Sequence, residues 1–278
     1  MLKSILIGLE DSPSTERATE LALELAQAQG AALLGLAIID EPDIKAGAAM
    51  GIGGSSYKHE RDEALMLEAH QRAREFERRF LERCKSSPVA ARVLEVTGRP
   101  AETILAELEH HDLVMLGRDA NFQFETEATD TRTWDVILHK ASKPVIVVPG
   151  DPWPRGGGAV VAYDGSLAAT RALQTFAATG LAQTLALHVV TVNDSGAVAW
   201  DLATHAVDTL KGLGLPAEVH NVVSVLPIAE ALLEVATQLK AAMIVMGSFA
   251  HSRLRSFFRG SVTQQLVERT TIPLFLTH

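Results

Sequence analysis

Residues 5–12, Ile-Leu-Ile-Gly-Leu-Glu-Asp-Ser, form an apolar run that ends in acidic and turn residues, and residues 160–166, Val-Val-Ala-Tyr-Asp-Gly-Ser, repeat this pattern. Each run is typical of a buried strand followed by a turn. A segment with apolar residues at the spacing of one helix face follows each run, and it ends at Gly30 in the first copy and at Gly180 in the second. This repetition predicts that one strand–helix unit occurs twice in the chain.

Three further pairs of segments extend the repeat: residues 31–39 and 185–192, residues 112–117 and 241–247, and the Pro-led apolar runs 144–148 and 273–276. Strands alternate with helices in each copy, which is the order of a doubly wound parallel sheet. We therefore predict an α/β fold with two tandem doubly wound (Rossmann-like) domains, each with a five-stranded parallel sheet. The predicted domains are residues 1–149 and 159–278, and the Pro- and Gly-rich residues 150–158 are predicted to link them.

The first copy is longer in its middle. Residues 41–58 form a Gly-rich insertion that could be a plain surface loop or a cover over a site. A strongly charged helix is predicted over residues 59–85. Its candidate inner positions are Leu65, Leu67, Ala69, Ala73, Phe76 and Phe80.

The composition of the 278-residue chain limits its function. The formal net charge is −9, and nucleic-acid binding, which needs a basic surface, is therefore disfavoured. No stretch approaches the roughly 18 apolar residues of a membrane span, so we expect no membrane segment and a cytoplasmic location. The single cysteine, Cys84, excludes an internal disulfide and a metal site of several thiolates.

The segment from Gly247 to Ser261 has the features of a ligand-binding site. It leaves an apolar strand and leads into a helix that is predicted to begin at Ser261. Unpaired backbone N–H groups at a helix start favour an anion, and Gly260 lets a phosphate approach the backbone closely. Arg253, with Arg255 and Arg259, adds positive charge. These features predict a site for a polyphosphate.

This segment resembles the Gly-x2-Gly-x9-Gly-Ser/Thr motif of the ATP-binding branch of the universal stress protein family, with Ala250 in place of the middle glycine. The resemblance extends over both copies. It implies that Asp164 lies near the ribose and phosphates, that the backbone of Val189 contacts the adenine edge, and that the ligand is ATP with Mg²⁺. The nucleotide-binding residues predicted in this way are Asp164, Val189, Met246, Gly247, Ala250, Arg253, Gly260, Ser261 and Val262.

The first copy lacks the residues that predict a nucleotide site in the second copy. No glycine occupies the phosphate position, Glu125, Glu127 and Asp130 lie where a triphosphate would bind, and Glu10 replaces the aspartate after the first strand. We predict that this copy does not bind ATP. By the same resemblance, residues 145–148 and 274–276 could pair inside the chain, with further homodimer formation as an option. Alternatively, Phe122, Phe124 and the Gly-rich loop could line an apolar pocket for another ligand.

The motifs of dedicated enzymes are missing from the sequence. There is no Gly-x4-Gly-Lys-Ser/Thr loop and no Gly-x-Ser-x-Gly nucleophile motif. His188, His220 and His278 could converge at strand ends, but we expect no metal site. The sequence favours an ATP-binding stress-response protein with a regulatory or protective role and at most slow ATP hydrolysis. The alternatives are an adenine-nucleotide hydrolase, and a small-molecule or lipid carrier or scaffold whose nucleotide site is vestigial.

Overall fold

The computed structural model describes residues 1–46, 55–122, 133–248 and 262–278. The strands are β1 (Ser4–Leu9), β2 (Ala32–Ile39), β3 (Ala91–Thr97), β4 (Leu113–Gly117), β5 (Val145–Val148), β6 (Ala159–Ala162), β7 (Leu187–Val192), β8 (Ala217–Val222), β9 (Met243–Gly247) and β10 (Leu274–Thr277). The helices are α1 (Pro13–Gln29), α2 (Glu41–Ala46), α3 (Ser55–Cys84), α4 (Pro100–Leu108), α5 (Thr133–Lys140), α6 (Leu167–Ala178), α7 (Gly196–Gly212), α8 (Ile228–Gln238) and α9 (Val262–Arg269), with a short 3₁₀ turn at Leu181–Gln183.

All ten strands belong to one sheet in the order β3-β2-β1-β4-β5-β10-β9-β6-β7-β8. The five strands of each half are parallel to one another, so the predicted fold class is confirmed. The halves meet where β5 and β10 pair in antiparallel fashion, with Phe275 opposite Ile146. The second half therefore repeats the strand order of the first.

Local sequence explains where the first helix begins and ends. The backbone N–H of Thr15 donates to the Ser12 hydroxyl at 3.1 Å, and Pro13 occupies the first turn, where its missing N–H costs nothing. Gly30 ends α1 with φ of +70°, a left-handed conformation that glycine adopts without strain. The cap of α6 is similar, since the N–H of Ala169 donates to the Ser166 hydroxyl at 3.1 Å.

Apolar clusters cover both faces of the sheet. One contains residues of α1, α3, α6 and α7, and the other contains residues of α4, α5, α8 and α9. Both include strand residues from the two halves, so the core is continuous across the β5–β10 junction. Five of the six residues of β1 are buried, as expected for a parallel strand covered on both faces.

The helix predicted over residues 59–85 is α3, and it buries only part of its predicted face. Ala69, Ala73 and Phe80 are buried, whereas Leu67 is 59% exposed. The buried residues follow steps of three or four along the helix, and Leu67 falls outside this stripe.

Of the helices in the described ranges, none is both long and apolar enough to cross a membrane.

Residues 150–158 connect β5 to β6 and pack against the first half. Trp153 is buried, the Arg155 guanidinium lies 4.1 Å from the centroid of its ring, and Arg155 also forms an ion pair of 2.7 Å with Glu24 of α1. A Cβ on Gly157 would lie 1.7 Å from the carbonyl oxygen of Lys240, so only glycine fits there. These contacts hold the connection in one position.

Candidate functional site

A cavity of about 230 Å³ opens in the second half, at the carboxyl ends of β6 and β9. The strand order reverses between these two strands, because the chain proceeds from β6 to β7 on one side and later returns to β9 on the other. Ligands of open α/β sheets bind at such points. The described lining residues are Ala162, Tyr163, Asp164, Ser166, Ala169, Val190, Val192, Ile228, Leu232, Met246, Gly247, Val262 and Thr263.

Asp164 lies at the rim of this cavity, two residues after β6, and is exposed. Its Oδ1 accepts a hydrogen bond of 2.9 Å from the backbone N–H of Ser166. Gly165 between them has φ of +77°, which allows the sharp turn from the strand into α6. The turn holds a carboxylate and the N-terminus of α6 at the cavity.

Gly247 allows α6 to approach the end of β9. A Cβ at this position would lie 2.5 Å from the carbonyl carbon of Ala168 and 2.7 Å from its oxygen. The next residue, Ser248, is buried, and its N–H and hydroxyl both donate to the carbonyl oxygen of Thr277, at 2.7 and 2.9 Å. The chain therefore leaves β9 from a fixed point beside the cavity.

The predicted phosphate-binding segment begins at a residue that lines this cavity and is followed by another. Gly247 lines it on one side and Val262, the first residue of α9, lines it on the other. Ala250, Arg253, Gly260 and Ser261 lie outside the described residues, so their roles stay predictions. The structure brings Asp164, Met246, Gly247 and Val262 together.

Val189 is not among the lining residues. Its side chain is fully buried in the apolar cluster with α6 and α7 on the opposite face of the sheet. Because side chains alternate along a strand, Val190 and Val192 point the other way, and both line the cavity with Ile228 and Leu232 of α8. These four apolar residues were not predicted, because alternation shows only that Val190 and Val192 share a face and not which face borders the cavity.

Two parts of the chain, residues 1–149 and 159–278, each match the model of the Universal stress protein family. The chain belongs to this family. It contains two universal stress domains in one polypeptide, and the predicted family is confirmed.

Several known proteins are similar to this chain. The Universal stress protein Slr1230 of Synechocystis sp. is 29% identical over 167 residues, which cover 59% of this chain and 56% of that protein, so the match spans little more than half of the relative's length. A crystal structure of a universal stress protein from Archaeoglobus fulgidus shares the fold, with 19% identity over 98% of this chain and 97% of that chain and a TM-score of 0.67. A structure of the universal stress protein from the same organism in complex with dAMP matches 43% of this chain and 96% of its own, with 22% identity and a TM-score of 0.36.

The corresponding place in the first universal stress domain is filled by Phe122. A Cβ added to Gly8, near the end of β1, would lie only 2.6 Å from Cζ of Phe122, so the ring covers this strand directly. Phe122 is 6% exposed and has φ of +60°, which is rare for an aromatic residue. Its backbone N–H donates to Oε1 of Glu10 at 3.0 Å. The aromatic ring therefore occupies space at the end of β1.

Glu10 gives this place an unfavourable charge for a nucleotide. Burial raises the pKa of its carboxyl above the ordinary value, and the backbone N–H groups of Phe122 and Asn121 offset this only in part. Within the described part of the chain, its second oxygen, Oε2, has no hydrogen-bond partner. A phosphate beside this carboxyl would add like-charge repulsion to the cost of burial.

The first domain also has a cavity of about 520 Å³ between the carboxyl ends of its strands and α3. Its lining mixes apolar residues, among them Phe122, with the charged residues Glu10, Asp11, Asp40, Arg72, Glu75 and Arg79. Arg79 is already paired with Asp11 at 2.8 Å, and Arg72 with Glu68 at 2.7 Å. The described lining therefore differs from the predicted apolar pocket, whose Phe124 and Gly-rich residues 47–54 lie outside the described residues.

Two of the three histidines that the sequence suggested as neighbours are in contact. His188 and His220 are in contact on neighbouring strands, with 3.1 Å between Nδ1 and Nε2. His278 follows β10 at the carboxyl end of the sheet, whereas His188 is the second residue of β7, near the amino end. The strand positions separate His278 from the other two.

Proposed function

We propose that the second universal stress domain binds ATP with Mg²⁺, and that the protein serves a regulatory or protective role in the stress response rather than acting as a dedicated enzyme. The observation that carries the proposal is the cavity between β6 and β9, at the point where the strand order reverses, with Gly247 and Val262 at its rim. Residues 248–261 join these two positions, and they contain most of the glycine-serine motif that the family uses for phosphates.

The described lining suits the parts of a nucleotide. Val190, Val192, Ile228 and Leu232 offer an apolar wall on which a base can stack. The Asp164 carboxylate can accept hydrogen bonds from ribose hydroxyl groups. The start of α9 supplies backbone N–H groups and the positive end of a helix dipole, which favour phosphate oxygens.

Magnesium fits the same place. Mg²⁺ prefers oxygen ligands and is usually held by one or two carboxylates together with substrate phosphates and water. Asp164 is the carboxylate in the described lining, and its exposure leaves room for water. We propose that Asp164 holds the ion, directly or through water, beside the phosphates.

We propose binding rather than rapid turnover because the described lining offers little for catalysis. Asp164 and Tyr163 are its ionisable residues, and no histidine or lysine accompanies them in the described lining. Hydrolysis of ATP needs a group that positions or activates water, together with charge that stabilises the transition state.

The proposed compartment is the cytoplasm, where adenine nucleotides are abundant.

Calorimetric titration with Mg-ATP tests the proposal. Gly260→Glu should abolish binding, because the added carboxylate lies where the phosphates are proposed to bind, whereas Asp130→Ala in the first domain should leave the affinity unchanged. Circular dichroism of both variants establishes that they are folded. Normal affinity in the folded Gly260→Glu variant, or a loss of affinity in both variants, would refute the proposed site.

Small molecules released from the purified protein on denaturation distinguish the alternatives. Adenine nucleotide supports the proposal. A bound reaction product, together with rapid phosphate release from added ATP, would indicate a nucleotide-processing enzyme. An apolar ligand in place of nucleotide would indicate a carrier.

A further inference from the structure

A second polar cluster lies on the edge of the sheet, away from the nucleotide cavity. His188 is on β7, and Glu218 and His220 are on the edge strand β8, where residues two apart share a face. The register places His188 beside Glu218 and Val190 beside His220, so the three polar side chains are neighbours. His188 and Glu218 are the second residues of their strands and His220 is the fourth residue of β8, whereas the cavity lies at the carboxyl ends of β6 and β9.

Three potential ligand atoms converge in this cluster. Nδ1 of His188 lies 3.1 Å from Nε2 of His220 and 3.3 Å from Oε2 of Glu218, and Nε2 of His220 lies 3.7 Å from the same oxygen. In a tetrahedral site with metal–ligand distances of about 2.0–2.1 Å, two ligand atoms are separated by about 3.3–3.4 Å. The three observed separations bracket this value.

A single cation can satisfy all three ligand atoms together. Hydrogen bonds link these atoms only in pairs, through the N–H that each neutral imidazole carries. A metal ion accepts all three lone pairs at once. Two neutral imidazoles and one carboxylate carry a charge of −1, so a divalent cation also reverses the local excess of negative charge.

We propose that His188, Glu218 and His220 bind one divalent cation of the zinc type, with the fourth position open to water. Imidazole combined with carboxylate suits zinc and its neighbours in the first transition row, whereas magnesium and calcium prefer oxygen ligands alone. The side chain of Glu218 is 73% exposed and provides an entry path, while that of His188 is only 14% exposed.

The surroundings leave room for the ring of His188 beside the other two ligands. A Cβ on Gly158 would lie 2.8 Å from Nε2 of His188, so the glycine before β6 leaves room for the ring. The ring of His220 is inclined at 62° to that of His188, with 5.1 Å between the centroids. A site whose ligands are already close to their bound separations loses little entropy when the ion enters.

Zinc titration of the full chain tests this inference. The protein should carry no histidine tag, should be treated with a chelator and dialysed, and should be free of nucleotide, whose phosphates would bind metal themselves. We expect one Zn²⁺ per chain, and a loss of affinity of at least about tenfold in His220→Gln and in Glu218→Gln. His205→Gln is the matched control, since it removes an exposed histidine of the same domain outside the cluster.

Cobalt provides a second readout, because Co²⁺ in a four-coordinate site absorbs visible light strongly. The absorption should appear in the wild-type protein and in His205→Gln, and should be absent from His220→Gln. Glu218 is largely exposed, so Glu218→Gln should fold normally even if a histidine variant does not. The inference is overturned if the wild-type protein takes up no stoichiometric zinc, or if the folded Glu218→Gln variant binds zinc as tightly as His205→Gln does.

Discussion

Replacement of Gly247 by alanine is the sharpest test of how the fold builds the cavity that we propose to bind the nucleotide. The new Cβ would lie 2.5 Å from the carbonyl carbon of Ala168 and 2.7 Å from its oxygen, both backbone atoms of the first turn of α6. Ordinary contact begins at 3.4 Å, so the turn must retreat by roughly 1 Å. That turn follows Asp164 and Ser166, which line the cavity.

The expected loss of stability is modest. Overpacking of a well-packed site costs about 1–3 kcal/mol. Alanine in place of glycine recovers about 0.4–1 kcal/mol, because it restricts the unfolded chain. The free energy of unfolding should therefore fall by about 1–2 kcal/mol, which leaves the protein folded. Displacement of the cavity rim should weaken Mg-ATP binding by at least about tenfold, equivalent to about 1.4 kcal/mol.

The first domain provides a matched control. A Cβ on Gly117, at the end of β4, would lie 2.6 Å from the Ser14 hydroxyl oxygen and 2.7 Å from the backbone nitrogen of Thr15. Gly117→Ala should therefore cost a similar free energy of unfolding in urea, while calorimetry should find its affinity for Mg-ATP unchanged. If the two variants lost affinity equally, or if Gly247→Ala bound as the wild type does, the role assigned to the β9–α6 contact would be refuted.

Two further predictions concern the first domain. Phe122→Ala should lower the free energy of unfolding in urea by about 3 kcal/mol, because it removes a buried aromatic ring. Phe122→Gly should lower the free energy of unfolding by no more than Phe122→Ala does, since glycine adopts a φ of +60° without strain. A glycine variant that is clearly less stable than the alanine variant would show that the backbone at this position is not strained. Burial raises the pKa of Glu10 above 4.5, so the native state holds this proton more tightly than the unfolded chain, and stability should fall as pH rises through the raised pKa. Glu10→Gln should be more stable than the wild type at neutral pH and should lose that advantage below about pH 4, as thermal unfolding across this range would reveal.

Much of the architecture is encoded locally and could be read from the sequence. The apolar runs that begin at Ile5 and Val160 are strands because both faces of a parallel strand are buried. Ser12 and Gly30 mark the ends of α1 because a hydroxyl can accept an orphan N–H and glycine tolerates positive φ. The doubly wound topology follows from the alternation of such elements, and it places the end of Gly247's strand beside that of Asp164's.

Other features depend on how distant segments meet, and only the tertiary structure decided them. Val189 and Val190 look equivalent in sequence and both are buried, but Val189 packs into the cluster that contains α6 and Val190 lies on the opposite face with α8, towards the cavity. The position of Phe122 over Gly8 joins residues more than a hundred apart, and the contact of His188 with His220 depends on the register of two strands. Sequence periodicity reports which face a residue occupies relative to its neighbours in the same element, whereas these contacts are set by the packing of one element against another.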